Sequence, residues 1–203
     1  VLDIGCGIGR LAVPLVDYLD DKQGSYEGFD IVKSGIDWCK KKIQSKHPNF
    51  NFIHIDLRNE LYNLSTDKSA NNFAFPYNNA EFDFAFLTSV FTHMMPEDVS
   101  AYLEQISRVL KKGGVCFATF FVINEESDEL MKNNDVIKFD HKFENYYLHN
   151  TKVKEANVAF DELYLDKLIT KHGLKITNKY FGYWPGRSKD KCVDFQDIYI
   201  LEK

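Results

Sequence analysis

What this sequence lacks narrows it first. Its 203 residues contain no apolar run approaching the length of a transmembrane helix, and the opening residues read as a core strand rather than a signal peptide. There is no C-x-x-C spacing. Cys6, Cys39, Cys116 and Cys192 are scattered, most of them among apolar neighbours, which suits buried thiols in a reducing compartment and leads us to expect a cytoplasmic protein. His141 and Glu144 stand without further ligands at zinc spacing, so no metal site is expected. Basic clusters are scarce as well. Beyond Lys40-Lys41-Lys42, read as a solvated helix face, no Lys/Arg block stands out, and the formal net charge is -5. This argues against a nucleic-acid partner unless folding assembles a local patch. Internal repeats are absent.

What is present suits one globular domain over residues 1–203, since 44% hydrophobic content at this length can bury a real core. The chain opens inside a strand, so an upstream helix or substrate-binding cap is expected to precede it.

The informative stretch is Val1 to Arg10, where an apolar strand runs into a loop with Gly5, Gly7 and Gly9. Such glycines let the backbone turn with positive φ and approach a ligand closely, and a helix is expected from Ile8 onward. A plain strand-to-helix turn would use the same residues. Context favours a ligand: a second apolar strand, Tyr26 to Phe29, ends in Asp30, 21 positions beyond Gly9, where a carboxylate can take two ribose hydroxyls. Arg10 stands where the dinucleotide fingerprint has its third glycine, which disfavours a pyrophosphate ligand.

With Asp3 before the loop, VLDIGCGIG resembles motif I of the class I S-adenosylmethionine-dependent methyltransferases, of the kind grouped as type 11/12-like methyltransferase domains. The resemblance implies a Rossmann-like, doubly wound seven-stranded α/β sheet, mostly parallel with an antiparallel last strand and helices on both faces. It also implies S-adenosyl-L-methionine as cofactor. Asp3, Gly5, Cys6, Gly7 and Gly9 would then hold the methionine end, and Asp30 the ribose. Asp56 would accept the adenine amino group, with Ile31 and Leu57 flanking the ring, although an N-cap role suits Asp56 too. Thr88 and Ser89 resemble motif IV beside the sulfonium.

Patterning along the chain agrees with alternating strands and helices. A helical stripe covers Leu11 to Leu19, with Pro14 early in it, and Ser34 is read as N-cap of a helix to about Ser45. Strands are expected at Phe50 to Ile55, Phe82 to Thr88 and Val115 to Val122. A helix over Pro96 to Leu110 should stop at Lys111-Lys112-Gly113-Gly114. The stretch from Leu57 to Asn79 reads as a long loop. Residues 124–160 lack a clean period and read as a lid-like insertion or disorder. Asp161 caps a helix to about Lys171, followed by strands at Leu174 to Tyr183 and Asp194 to Leu201 joined through Trp184-Pro185-Gly186-Arg187.

Methyl transfer from a sulfonium needs alignment, and a base where the nucleophile must lose a proton. His93 is the candidate base, against a purely structural helix-start role. Tyr146 and Tyr147 in the insertion, with Trp184 and Arg187 in the late loop, are candidates for the substrate wall, as is His93 itself. The expected acceptor is an O, N or C nucleophile of a small molecule, without membrane contact. Two alternatives stay open: a non-catalytic S-adenosylmethionine-binding regulator, and an NAD-dependent oxidoreductase, for which no catalytic Tyr/Lys pair is found.

Overall fold

The computed structural model describes residues 1–19, 22, 24–133 and 136–203. Five parallel strands carry the first half: β1 (Leu2–Ile4), β2 (Tyr26–Asp30), β3 (Phe50–His54), β4 (Phe82–Leu87) and β5 (Leu110–Phe120). Two late strands, β10 (Lys175–Tyr180) and β11 (Asp197–Glu202), complete a sheet of order β10-β11-β5-β4-β1-β2-β3. β11 runs antiparallel to both β5 and β10. This is the Rossmann-like seven-stranded sheet, with its last strand in sequence, β11, running antiparallel between β10 and β5. The strand order reverses between β1 and β4, and a ligand crevice is expected outside the carboxyl ends at such a point.

The strands at the centre are buried because helices cover them. Leu2, Ile4, Ala85 and Leu87 have no exposed surface and share a core with Val99, Leu103 and Ile106 of α3 (Pro96–Val109). That helix starts as its sequence requires: Pro96 occupies the first turn, where a missing N–H costs nothing, and Glu97 and Asp98 face the positive end of the helix dipole. On the other face, Ile36 and Cys39 of α2 (Lys33–Cys39) pack with Phe50, Phe52 and Phe86.

Several expected boundaries move. The first helix, α1 (Ala12–Val16), is shorter than the stripe from Leu11 to Leu19, because Ile8 to Leu11 still belong to the turn, and Leu11 and Val13 remain exposed. Ser34 is not an N-cap but lies inside α2; the cap position is Val32, whose N–H donates to Asp30. That helix then widens into a π-helix, Lys40–Gln44. The Lys111 to Gly114 run does not end a helix ahead of a strand at Val115. It lies inside β5, where the register to β4 slips between Phe82 and Phe84 and Gly113 takes a φ of 77°.

Residues 124–160 carry regular structure among the described residues where the sequence shows no clean period; 134 and 135 lie outside them. Asn124 and Ser127 form a reciprocal capping box that starts α4 (Glu125–Met131). The chain leaves the main sheet at β6 (Val122–Ile123), and β7 (His141–Lys142), β8 (Tyr146–Leu148) and β9 (Val158–Asp161) build a second sheet of order β6-β9-β8-β7. Phe121, Ile123, Phe139, Tyr147 and Trp184 form its own core. Asp161 then caps α5 (Glu162–Lys171) through the Tyr164 N–H, as its position suggested.

Candidate functional site

A cavity of about 610 Å³ opens at the carboxyl ends of β1, β2 and β4. The glycine loop forms one wall, with φ values of 77°, 55° and 75° at Gly5, Gly7 and Gly9. At Gly5 a Cβ would lie 2.4 Å from the Val90 side chain, so the loop packs directly against the segment that follows β4, and the φ of 77° favours glycine there in any case. Asp30 ties this loop down from β2. One carboxylate oxygen accepts the Gly7 N–H at 2.7 Å, and the other accepts the Val32 N–H at 2.7 Å.

Asp3 lies deeper, almost fully buried, where it accepts the Tyr26 hydroxyl. Burial pushes its carboxyl up to about 7, opposed by that hydrogen bond and reinforced by Asp30. Burial also pushes the Cys6 thiol far up, so Cys6 is a small wall residue and not a nucleophile. Ile31 and Leu57 also border the cavity.

Thr88 and Ser89 border it from β4. Ser89 is held at a φ of 57°, its N–H donating to Thr119 Oγ1 at 2.8 Å and its hydroxyl to Gln196 Oε1 at 3.1 Å. His93 follows on a 3-10 turn, Phe91–His93. Its Nδ1 lies 3.0 Å from the Glu155 carbonyl oxygen, and burial lowers its pKa below the ordinary value of 6.5, with hydrogen bonds to the backbone of Glu155 and Ala156 opposing. Burial thus favours the neutral ring.

Asp3, Gly5, Cys6, Gly7, Asp30, Ile31, Leu57, Thr88, Ser89 and His93 thus meet around one space, with Gly9 in the loop behind it. Asp56 does not join them. Its carboxylate accepts the Asn63 side-chain amide at 3.1 Å and sits 3.8 Å from Lys68, which turns it along the loop. Four substrate-wall candidates also lie elsewhere. Tyr146 stacks on Phe143, and Tyr147 is buried in the small sheet's core under Lys142. Trp184 is fully buried with its Nε1–H donating to Asp197 at 2.7 Å. Arg187 pairs with Glu126 at 2.8 Å.

In their place the cavity takes Arg10, Asn59, Tyr62, Asp98, Glu155, Asp194 and Gln196. Most come from irregular segments and carry no local sequence signal; Gln196, directly before a strand at the ligand-bearing sheet edge, was the one that register could have found. Among the described residues, no group of three or more His, Cys, Asp or Glu could hold a metal ion. No helix is long and apolar enough to cross a membrane.

A family model described as a methyltransferase domain matches residues 1–114, the stretch that holds the glycine loop, Asp30 and Ser89. The chain belongs to this methyltransferase family. A methyltransferase of Methanosarcina mazei, described as SAM-dependent, shares the fold with a TM-score of 0.63, 22% identity and coverage of 100% of this chain and 91% of that one. The Burkholderia thailandensis 1,6-didemethyltoxoflavin-N1-methyltransferase, solved with S-adenosylhomocysteine, aligns at TM-score 0.62 and 15% identity, over 100% of this chain and 69% of that one. In sequence, the chain is 24% identical over 186 residues to the tRNA N(3)-cytidine methyltransferase METTL2 of Gallus gallus, covering 88% of this chain and 44% of that protein. The chain therefore spans less than half the length of that curated relative. The family's cofactor, S-adenosylmethionine, fits the site: its cationic groups and ribose hydroxyls call for an acidic lining, and Asp3, Asp30, Asp98 and Asp194 border the cavity.

Proposed function

We propose that this chain, acting as one domain over residues 1–203, transfers a methyl group from S-adenosylmethionine to an O, N or C nucleophile of a small molecule. The observation that carries the reading is the cavity that joins the glycine loop and Asp30 to Ser89 and His93. Its volume falls in the range of small-ligand pockets, about 300–1,000 Å³. Five carboxylates, Asp3, Asp30, Asp98, Glu155 and Asp194, outnumber Arg10 and Arg58 along its lining, which disfavours a phosphate backbone.

The cofactor supplies a methyl group on a sulfonium leaving group. The chain's residues do the rest: Asp3 and the glycine loop hold the methionine end, Asp30 the ribose, Ile31 and Leu57 the ring. With the cofactor bound, the site would align the acceptor lone pair with that methyl group, and Nε2 of His93 would take up the acceptor proton. This base separates the enzyme reading from that of a binding-only regulator. The free thiols of Cys6, Cys39 and Cys116, all buried, support a reducing, cytoplasmic setting.

A second reading, an RNA acceptor, draws on the likeness to a tRNA cytidine methyltransferase. Calorimetry with S-adenosylhomocysteine, with NADH as control, tests the cofactor; micromolar binding of the first alone is expected. Release of methyl label to a panel of small amines, phenols and carboxylic acids, run beside bulk tRNA, tests the acceptor. Transfer to tRNA alone, with binding that weakens steeply as salt rises, overturns the small-molecule reading.

A further inference from the structure

Two segments far apart in sequence meet over His93. The Glu60 N–H donates to the Glu155 carboxylate, and the Lys154 N–H donates to the Glu60 carboxylate at 2.8 Å, across sequence separations of 95 and 94 residues. Each glutamate therefore holds the backbone of the other's segment, Glu155 at Glu60 itself and Glu60 at the residue before Glu155. The first segment is the loop after β3; the second is the strap between β8 and β9, which belongs to the small sheet.

The same junction fixes His93 from both sides. Its Nδ1 meets the Glu155 carbonyl oxygen at 3.0 Å, and its own carbonyl accepts the Asn59 side-chain amide at 3.0 Å. A carbonyl oxygen can only accept, so Nδ1 carries the proton and Nε2 keeps its lone pair. Tyr62 stands edge-on to the ring, with centroids 5.6 Å apart. Asn59 also sets that loop, its side-chain oxygen accepting the Leu61 and Tyr62 N–H groups.

An incidental surface turn would not place two carboxylates together. Burial raises the pKa of Glu155, the Glu60 N–H opposes this, Asp98 and Glu60 add to it, and Arg58 counters them. The paired N–H bonds offset the repulsion between like charges, so the contact is specific to this geometry.

We infer that Glu60 and Glu155 are positioning residues, a reciprocal staple that holds the strap at the cavity mouth and fixes His93 as the tautomer with a free Nε2. The catalytic value of this tautomer rests on the base role proposed for His93; the staple itself does not.

The test is nitrogen-15 NMR of histidine-labelled full chain saturated with S-adenosylhomocysteine, joined to amide deuterium exchange. In the parent, His93 shows a protonated Nδ1 and an unprotonated Nε2. In Glu60→Ala the two shifts move toward averaged values, and exchange at the Lys154 amide rises about tenfold or more, while amides of β1 and β4 keep their protection. Glu60→Gln retains an acceptor oxygen and stays like the parent. Should Glu60→Ala fail to fold, Lys154→Pro deletes the donor at an exposed position and gives the same tautomer loss. An unchanged tautomer in the broken variants, or Glu60→Gln behaving like Glu60→Ala, overturns the staple. The expected spectra together with a parental methyl-transfer rate in His93→Gln refute the base role alone.

Discussion

Replacing Asp30 with alanine removes both bonds that brace the glycine loop from β2. The two carboxylate oxygens hold the Gly7 and Val32 N–H groups at 2.7 Å each. Hydrogen bonds to a charged group are worth about 1.5–3 kcal/mol. Asp30 is only half-buried, so the lower value applies to each, and Asp30→Ala should cost roughly 3 kcal/mol of fold stability. Ribose binding adds a separate loss. If the same carboxylate accepts two ribose hydroxyls, about 3 kcal/mol of binding disappears, which raises the Kd for S-adenosylhomocysteine about 100-fold. Asp30→Asn keeps one acceptor oxygen and should lose about tenfold. Calorimetry well below the variant's unfolding midpoint, with circular dichroism to confirm folding, separates the two effects. A lowered midpoint with a Kd within twofold of the parent would show that Asp30 is a loop brace and nothing more, and the cofactor assignment would fall with it.

Three other perturbations test the geometry around this loop and behind it. In Gly35→Ala the new Cβ would meet the Gly7 carbonyl oxygen at 2.7 Å, so the gain in helix propensity of about 1 kcal/mol is spent displacing the loop, and S-adenosylhomocysteine should bind more weakly; parental affinity by calorimetry would contradict the close approach. Asp197→Ala strands three buried donors, the N–H groups of Val122 and Gly182 and the Trp184 Nε1–H, each at 2.7 Å, and urea unfolding should show a loss of at least about 3 kcal/mol; under 1 kcal/mol would mean that water takes over all three. Asp3, with its pKa raised from 3.8 to about 7, binds its proton more tightly in the fold than in the unfolded chain, so its contribution to stability is complete below about pH 4 and is lost as pH rises to 7. Burial raises the Asp197 carboxyl to about 7 as well. Thermal unfolding of the parent without ligand should therefore weaken between pH 5 and 7, by up to about 1.4 kcal/mol per pH unit from each of the two groups, and Asp3→Asn should remove the Asp3 share of that slope.

The legible part of the site is the part whose demands are local. A loop that must turn with positive φ and pass close to Val90 calls for glycine wherever it occurs, so Gly5, Gly7 and Gly9 announce themselves. Asp30 follows from strand length, since it closes β2 beside Gly7. Glu155 carries no comparable signal, because its place is set by Glu60, 95 residues away. Trp184 and Arg187 mislead for a related reason. An indole or guanidinium in a Pro-Gly loop at the ligand-bearing edge looks offered to a substrate, yet here the indole N–H donates to Asp197, and the guanidinium donates through Nε to Glu126 and through Nη1 to the Gly182 carbonyl. The pattern in sequence is the same whether the partner is a ligand or a carboxylate brought in by the fold. The insertion escaped for the opposite reason: strands of two to four residues are too short to show a period.

Those inward-facing residues still bear on the cavity, at one remove. Asp197 pairs with Phe120 across the β11–β5 ladder, and its carboxylate gathers Val122, Gly182 and Trp184 at the point where the chain leaves the main sheet for the small one. The preceding residue, Gln196, accepts the Ser89 hydroxyl, while Thr119 on β5 accepts the Ser89 N–H. The left-handed turn of Ser89 opposite the glycine loop is therefore fixed by β5 and the segment leading into β11, not by β4 alone. Thr119, Glu155, Asp194 and Gln196 all lie beyond residue 114, outside the half that the family match covers. The glycine loop and Asp30 lie in the shared half, while the rest of the lining mixes Asn59, Tyr62, His93 and Asp98 of that half with Glu155, Asp194 and Gln196 beyond it. Substitutions in the strap and the loop before β11 are therefore expected to alter acceptor choice while leaving cofactor affinity unchanged.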